Sequence, residues 1–180
     1  LNILGDGTVV LADNSNINTP ITTTTNNEGT LTFEGNSIAT GEIGSSSHKL
    51  KEINAGASGK TVIFENPLYA LNTNIGSGIV NFNTTSGDTS SNIVFQDTGT
   101  ANLNGDLIGN INFSGKEATI NVADGKGILG SVETLAINNT GIINYKGDGT
   151  IGGNIGSLAL GIKELNINTN NEQDTPNGVL

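Results

Sequence analysis

The chain of 180 residues contains no cysteine, methionine or tryptophan. The absence of cysteine excludes a disulfide framework, a thiolate nucleophile and a cysteine-ligated zinc site. The seven basic residues are all lysines, so arginine is absent too, and 17 acidic residues give a formal net charge of −10. Binding of nucleic acid needs a basic stripe, and base readout usually relies on arginine. The composition therefore argues against a nucleic-acid partner.

Long apolar runs are also missing. No stretch approaches the roughly 18 consecutive apolar residues of a membrane span, so we predict no membrane insertion by this segment. The first residues, LNILGDGTVV, lack the basic and apolar regions of a signal peptide. The chain starts without methionine, and it begins and ends in mid-pattern. We therefore expect residues 1–180 to be a single segment of a longer chain whose targeting information lies outside it.

Asparagine, glycine, threonine, isoleucine and serine dominate the sequence, and this mixture favours strands and turns over helices. Short runs alternate between apolar and polar residues, and Gly, Asn, Asp or Ser separates nearly every pair of runs. No window shows a helical period, so helix content should be almost nil. The predicted strands are TVVLAD (8–13), TLTFEG (30–35), KLKEIN (49–54), TVIFEN (61–66), GIVNFN (78–83), NIVFQD (92–97), GNINFSG (109–115), ATINVADG (118–125), TLAINN (134–139), GIINYKG (141–147) and ELNIN (164–168).

An apolar residue followed by glycine recurs along the chain, and a strand follows each copy. The copies are Ile43-Gly44, Ile75-Gly76, Ile108-Gly109, Leu129-Gly130 and Ile155-Gly156. Irregular all-β repeats of roughly 20 to 33 residues are typical of a solenoid in which each repeat forms one coil. The sequence therefore predicts an all-β fold, a right-handed parallel β-helix of roughly six irregular coils. It also predicts that the five glycines stack in one line.

The alternative fold is an antiparallel β-sandwich, which many short strands at this spacing also allow. Two segments interrupt the pattern in either fold. Residues 15–29, rich in threonine and asparagine, are predicted to form a loop insertion. Residues 169–178 are predicted to form an outer loop or linker.

No motif predicts catalysis, so we assign no catalytic, cofactor-binding or metal-binding residue. The single histidine, His48, is interpreted as a solvated turn residue. The aspartates lie in turn-like settings without Asp-Asp or Asp-x-Asp pairs, and GDG at 5–7 and 147–149 favours a plain turn over a calcium site. The five phenylalanines are predicted to be core. Asparagines near strand ends are predicted to adopt left-handed turns or bond stacked neighbours as ladders; they are Asn54, Asn66, Asn81, Asn112, Asn138 and Asn166.

The phrases GEIGSSSHKLKEINAGASGKTVIFENPLYA (41–70) and GDGTIGGNIGSLALGIKELNIN (147–168) resemble the passenger regions of the rickettsial surface cell antigens, autotransporters of the outer-membrane-protein A and B type. The resemblance implies a non-enzymatic β-helical passenger at the bacterial cell surface, exported through segments outside this chain. Such passengers act in adhesion to and invasion of host cells and as surface antigens. The implied partners are a host-cell surface protein, antibodies and neighbouring coils of the longer chain.

A carbohydrate-active β-helix of the lyase or hydrolase kind is the alternative function. Hydrolases of this kind need paired carboxylates that project from adjacent strands. This alternative requires Asp88, Asp97, Asp106 and Asp124 to converge on one exposed groove. If these aspartates are scattered over different edges of the molecule, the alternative fails.

Overall fold

The computed structural model describes residues 1–84 and 87–167. All elements within these ranges are strands, and all of their pairings are parallel. The predicted parallel β-helix is therefore confirmed, and the antiparallel sandwich is wrong. The stack has about eight coils rather than six. The linker predicted at 169–178 lies outside the described residues.

Two seven-stranded sheets form most of the wall. Sheet I contains β2 (Thr8–Leu11), β4 (Glu28–Phe33), β6 (Leu50–Ala55), β8 (Leu68–Ile75), β10 (Thr89–Phe95), β12 (Ile111–Asn112) and β15 (Val132–Glu133). Sheet II contains β5 (Ser37–Ala39), β7 (Thr61–Phe64), β9 (Ile79–Phe82), β11 (Thr100–Leu103), β13 (Thr119–Val122), β16 (Thr140–Tyr145) and β18 (Ile162–Ile167). In both sheets the spatial order of the strands follows the chain.

A third, short side closes each coil. It consists of the paired strands β1 (Asn2–Ile3) and β3 (Thr22–Thr23), the pair β14 (Lys126–Ile128) and β17 (Gly149–Ile151), and isolated bridges. One coil runs from the short side through sheet I to sheet II. In one turn, for example, Leu107 lies on the short side, Ile111 in sheet I and Ile120 in sheet II. Each of the three sides of a coil stacks on the corresponding side of the next coil.

Inward rows of apolar residues account for the stack. Along sheet II the row Val62, Val80, Ala101, Ile120 and Ile143 is fully buried. A single coil cannot bury such a face, whereas each stacked coil buries the faces of its two neighbours, at about 1.5–3 kcal/mol per large side chain. The alternation read from the sequence identified these positions because side chains on a strand alternate between its two faces.

The five phenylalanines are core residues, as predicted: Phe33, Phe64, Phe82, Phe95 and Phe113 are at most 2% exposed. Their rings form two groups. The Phe64 ring lies 5.5 Å from both the Phe33 and Phe82 rings, and the Phe95 and Phe113 rings stack 5.3 Å apart at 9°. Rings at this separation contribute beyond simple burial, so they help to fix the register of successive coils.

The prediction that five glycines stack in one line is wrong. Gly44 follows a residue of the short side, whereas Gly76 and Gly156 follow residues of sheet I. Only Gly109 and Gly130 occupy matching positions, where a Cβ on Gly130 would overlap the Gly109 carbonyl. Close approach between coils is needed at several corners. Glycine therefore marks a corner in general and does not identify which corner it is.

The predicted loop insertion at 15–29 is also wrong. Ile17 pairs with Ala39 on the sheet II side, and Ile21 pairs with Ile43 on the short side. Both isoleucines are buried, at 7% and 0% exposure. The segment completes an ordinary coil, and its polar threonines and asparagines occupy mainly outward positions.

One predicted strand is not a strand. Residues 135–139 form bends at the corner after sheet I, and Leu135 and Ile137 are 61% and 58% exposed. The next coil lies against this corner, since the Asn139 amide donates to the Gly161 carbonyl at 2.8 Å. Apolar and polar residues do alternate in TLAINN, but these residues lie at a corner of the coil and not in one of its strands. Strands overlap each of the other ten predicted runs.

Candidate functional site: the amide-bearing outer face

An unbroken row of asparagines runs along the outer face of sheet II. Parallel register brings Asn81, Asn102, Asn121, Asn144 and Asn166 into line, one from each of five successive coils. From Asn102 onward, each Nδ2 donates to the Oδ1 of the asparagine in the preceding coil, at 2.6, 2.7, 2.8 and 2.8 Å. The bonded residues lie 19 to 23 positions apart, which is the coil length here. We call these five residues the amide ladder.

The strand sets the direction of each ladder side chain, because the residues before and after it point into the core. Asn121, for example, lies between the fully buried Ile120 and Val122, so its own side chain must point outward. A primary amide carries two N–H groups and an oxygen with two lone pairs. An interior member of the ladder uses one N–H and one lone pair between coils. It keeps one of each for a ligand or for water.

A second amide row borders the end of the same face. Glu65, Asn83 and Asn104 occupy the same place in three successive coils. The backbone register shows this, because the backbone N–H of Asn83 donates to the Phe64 carbonyl and the backbone N–H of Asn104 donates to the Phe82 carbonyl. With Asn66 they line an open groove of about 510 Å³, which we call the axial groove. The Asn104 Nδ2 donates to the Asn83 Oδ1 at 2.7 Å, and the Asn66 Nδ2 to the Thr40 carbonyl at 2.6 Å.

Sheet I carries a shorter series of the same kind. Gln96 donates to Asn74 at 3.3 Å, Asn74 to Asn54 at 2.9 Å, and Asn54 to the Thr32 hydroxyl at 3.3 Å. Gln96, Asn74 and Asn54 border a smaller depression of about 240 Å³. Outward amide rows therefore occur on both large sheets, but only the row beside the axial groove includes a charged side chain in the lining.

The predicted ladders are confirmed for Asn54, Asn81 and Asn166. The other three predicted asparagines bond backbone groups, and the left-handed conformations fall on Asn14, Asn27 and Asn139 instead. The prediction missed Asn102, Asn121 and Asn144, although a signal exists in the phrases TAN (100–102), TIN (119–121) and IIN (142–144). In each phrase the asparagine stands two residues after a β-branched residue, so both point to the same outer face.

His48 lies in an exposed turn. The Ser45 amide donates to the His48 carbonyl, and the Ser47 hydroxyl lies 2.9 Å from the imidazole Nδ1. Both side chains are exposed, and this serine neighbours the histidine in sequence. The contact closes the turn, in keeping with the interpretation of His48 as a solvated turn residue.

The aspartates do not all converge. Asp88, Asp106 and Asp124 each follow a sheet II strand, whereas Asp97 follows a sheet I strand on a different edge. The Asp106 Oδ1 accepts the Gly127 amide at 2.7 Å. The Asp124 Oδ1 accepts the backbone N–H of Asp148 in the next coil, at 3.0 Å. Within residues 1–84 and 87–167, no three acidic or histidine side chains are placed to hold a metal ion.

Ion pairs on the surface reach over an intervening coil. Lys60 and Asp13 lie 2.6 Å apart although 47 residues separate them, and Lys163 and Glu117 lie 2.7 Å apart over 46 residues. The Lys60 hydrogen bond and the Asn36 amide hold the pKa of Asp13 below its usual range. Hydrogen bonding and charge from Glu117 raise the pKa of Lys163. These charges tie coils to one another.

Comparison with known proteins found no matching protein-family model, no matching curated protein and no matching solved structure. A search of the described residues for a helix long and apolar enough to cross a membrane found none.

Proposed function

We propose that this chain is a non-enzymatic passenger segment at the bacterial cell surface, which acts in adhesion to and invasion of host cells and serves as a surface antigen. The continuous stack of about eight coils is the observation that carries this proposal. At about 4.8 Å per coil, each outward row repeats its chemistry along a straight line. Such a rod presents many equivalent contacts to a large partner.

The use of the ionisable side chains supports the same proposal. Asp106 and Asp124 accept backbone amides of adjacent coils, and Lys60 and Lys163 pair across coils. A hydrolase needs carboxylates aimed at a substrate. Here the bonded carboxylates hold the scaffold, while the ladder amides face outward. The resemblance of residues 41–70 and 147–168 to rickettsial surface passengers points in the same direction.

Binding to intact host cells tests the adhesion proposal. The purified chain, labelled with a fluorophore, is titrated onto cultured mammalian epithelial cells, and the urea-unfolded chain serves as the control. We expect saturable binding that only the folded chain shows. Binding that rises linearly with concentration, or equally for both forms, would overturn the proposal. Surface exposure is tested separately, by antibodies against the chain on intact and permeabilised cells of the organism that makes it.

A further inference from the structure

The axial groove differs from the rest of the outer face because it joins a carboxylate to amides. Glu65 and Asn104 are exposed and Asn83 is half-buried, so their polar atoms are accessible. The three residues occupy successive coils and form a line along the solenoid axis. A volume of about 510 Å³ lies within the range of sites that take small organic ligands, roughly 300–1,000 Å³.

We propose that the axial groove binds a neutral oligosaccharide. This inference rests on the proposed function, for which it names the chemical class of ligand. A sugar ring carries adjacent hydroxyl groups, each able to donate and to accept. An asparagine amide offers a donor and an acceptor side by side, and the Glu65 carboxylate offers only acceptors. The lining therefore complements two or three hydroxyl groups on consecutive sugars.

The charge of the groove determines which sugars it selects. Glu65 is the one ionisable group in the lining, and the whole chain carries a net charge of −10. Sialylated, uronic or sulfated glycans would bring a second negative charge beside this carboxylate and lose affinity. Neutral hexoses and N-acetylhexosamines have no such cost. The groove thus discriminates against anionic glycans through a single residue.

The lining also sets the strength of binding. It contains no aromatic ring, and the five phenylalanines are buried in the core. A site without a stacking platform relies on hydrogen bonds to groups that water also solvates. We therefore expect a dissociation constant of the order of 1 mM for a single oligosaccharide. Many copies of the chain on one surface would raise the effective affinity through multivalency.

The test uses the folded chain on a printed array of neutral, sialylated and sulfated oligosaccharides, with the chain displayed on beads to gain avidity. We expect binding to a subset of the neutral glycans and at least tenfold weaker binding to their sialylated counterparts. The double variant Asn83→Ala and Asn104→Ala should weaken binding to those neutral glycans about thirtyfold, the equivalent of about 2 kcal/mol, since two ligand hydrogen bonds are lost.

Two further variants separate ligand contact from scaffold damage. The control Asn72→Ala with Asn92→Ala removes two amides from neighbouring coils of sheet I, where the Asn92 Nδ2 donates to the Asn72 Oδ1 at 3.4 Å, and it should bind like the unmodified chain. Glu65→Gln keeps the shape of the side chain but removes its charge. It should raise binding to sialylated glycans while it changes binding to neutral ones less than threefold. Far-UV circular dichroism confirms that each variant is folded.

Three results would overturn the inference: no neutral glycan bound, equal losses in the groove variant and the sheet I control variant, or unchanged charge selectivity in Glu65→Gln. The proposed function fails by different measurements. If the chain binds cells saturably and the groove variants bind them equally well, adhesion stands and the glycan site falls. If glycans bind the groove but cells do not bind the chain, the site stands and the adhesion proposal falls.

Discussion

Removal of one interior amide from the ladder should measurably weaken the solenoid. In the Asn121→Ala variant two bonds disappear: the one it donates to Asn102 at 2.7 Å and the one it accepts from Asn144 at 2.8 Å. Each such bond is worth about 0.5–1.5 kcal/mol net. The side chain is half-buried, so water replaces part of the loss. We expect a loss of about 1–2 kcal/mol in the free energy of unfolding.

Asn81 provides the matched comparison because it takes part in one ladder bond within the described residues, accepting from Asn102 at 2.6 Å. Its replacement by alanine should cost about half as much. Urea unfolding followed by far-UV circular dichroism gives both values. A repeat array need not unfold as one unit, so hydrogen exchange of the sheet II amides should accompany it. Equal losses for Asn81→Ala and Asn121→Ala would refute the additive ladder.

An aspartate at position 121 tests the direction of the bonds. A carboxylate accepts from Asn144 as the amide did, but it cannot donate to the Asn102 oxygen and instead places charge beside it. At pH 7 the Asn121→Asp variant should therefore be less stable than Asn121→Ala. Protonation below the usual aspartate pKa of about 3.9 restores a donor, so the gap should narrow in acid. If it does not, the bonds do not run as the structure assigns them.

Two predictions concern single positions in the scaffold. The Asp13 pKa is lowered in the folded state, so the stability due to its contact with Lys60 is present above the unfolded pKa of about 3.9 and is lost as pH falls through the folded pKa. In the Asp13→Asn variant, the urea midpoint of unfolding should therefore fall less between pH 6 and pH 2 than it does in the unmodified chain. Identical pH profiles for the two proteins would contradict this prediction. A Cβ at Gly141 (φ 83°) would overlap the Phe113 ring, whereas Gly125 (φ 70°) has open space. Gly125→Ala should cost about 1–2 kcal/mol and Gly141→Ala about 1–3 kcal/mol more, so equal urea midpoints would argue against the overlap.

The inward half of this fold is predictable from the sequence. Pairs such as Val62 and Phe64, or Ile120 and Val122, alternate with polar residues, and all four are buried. Alternation reports which residues share a face of a strand, because the pleat has a period of two. It cannot report where along a coil the strand lies, so the same signal in Leu135 and Ile137 marked an exposed corner.

The register of the coils is less predictable. A corner glycine is required wherever two coils approach closely, and in this fold that happens on more than one side. Aligning the chain on Ile-Gly therefore brought together residues from the short side and from sheet I, as Gly44 and Gly76 show. Alignment on outward asparagines recovers the coil, since Asn102, Asn121 and Asn144 stand one coil apart.

The difference between inward and outward positions explains why the candidate site can be found from the structure but not from the sequence. Inward positions must fill a shared core, so their identity is dictated by packing. Outward positions face no such demand, and a residue there reflects contacts between coils or contacts with a partner. The ladder amides make contacts between coils through their hydrogen bonds, and these contacts are enough to explain why asparagine occupies those positions. Glu65 has a different character: it is an exposed carboxylate in a lining otherwise made of amides, beside a groove of about 510 Å³. Its charge is therefore the feature of the outer face through which ligand recognition can be tested most directly.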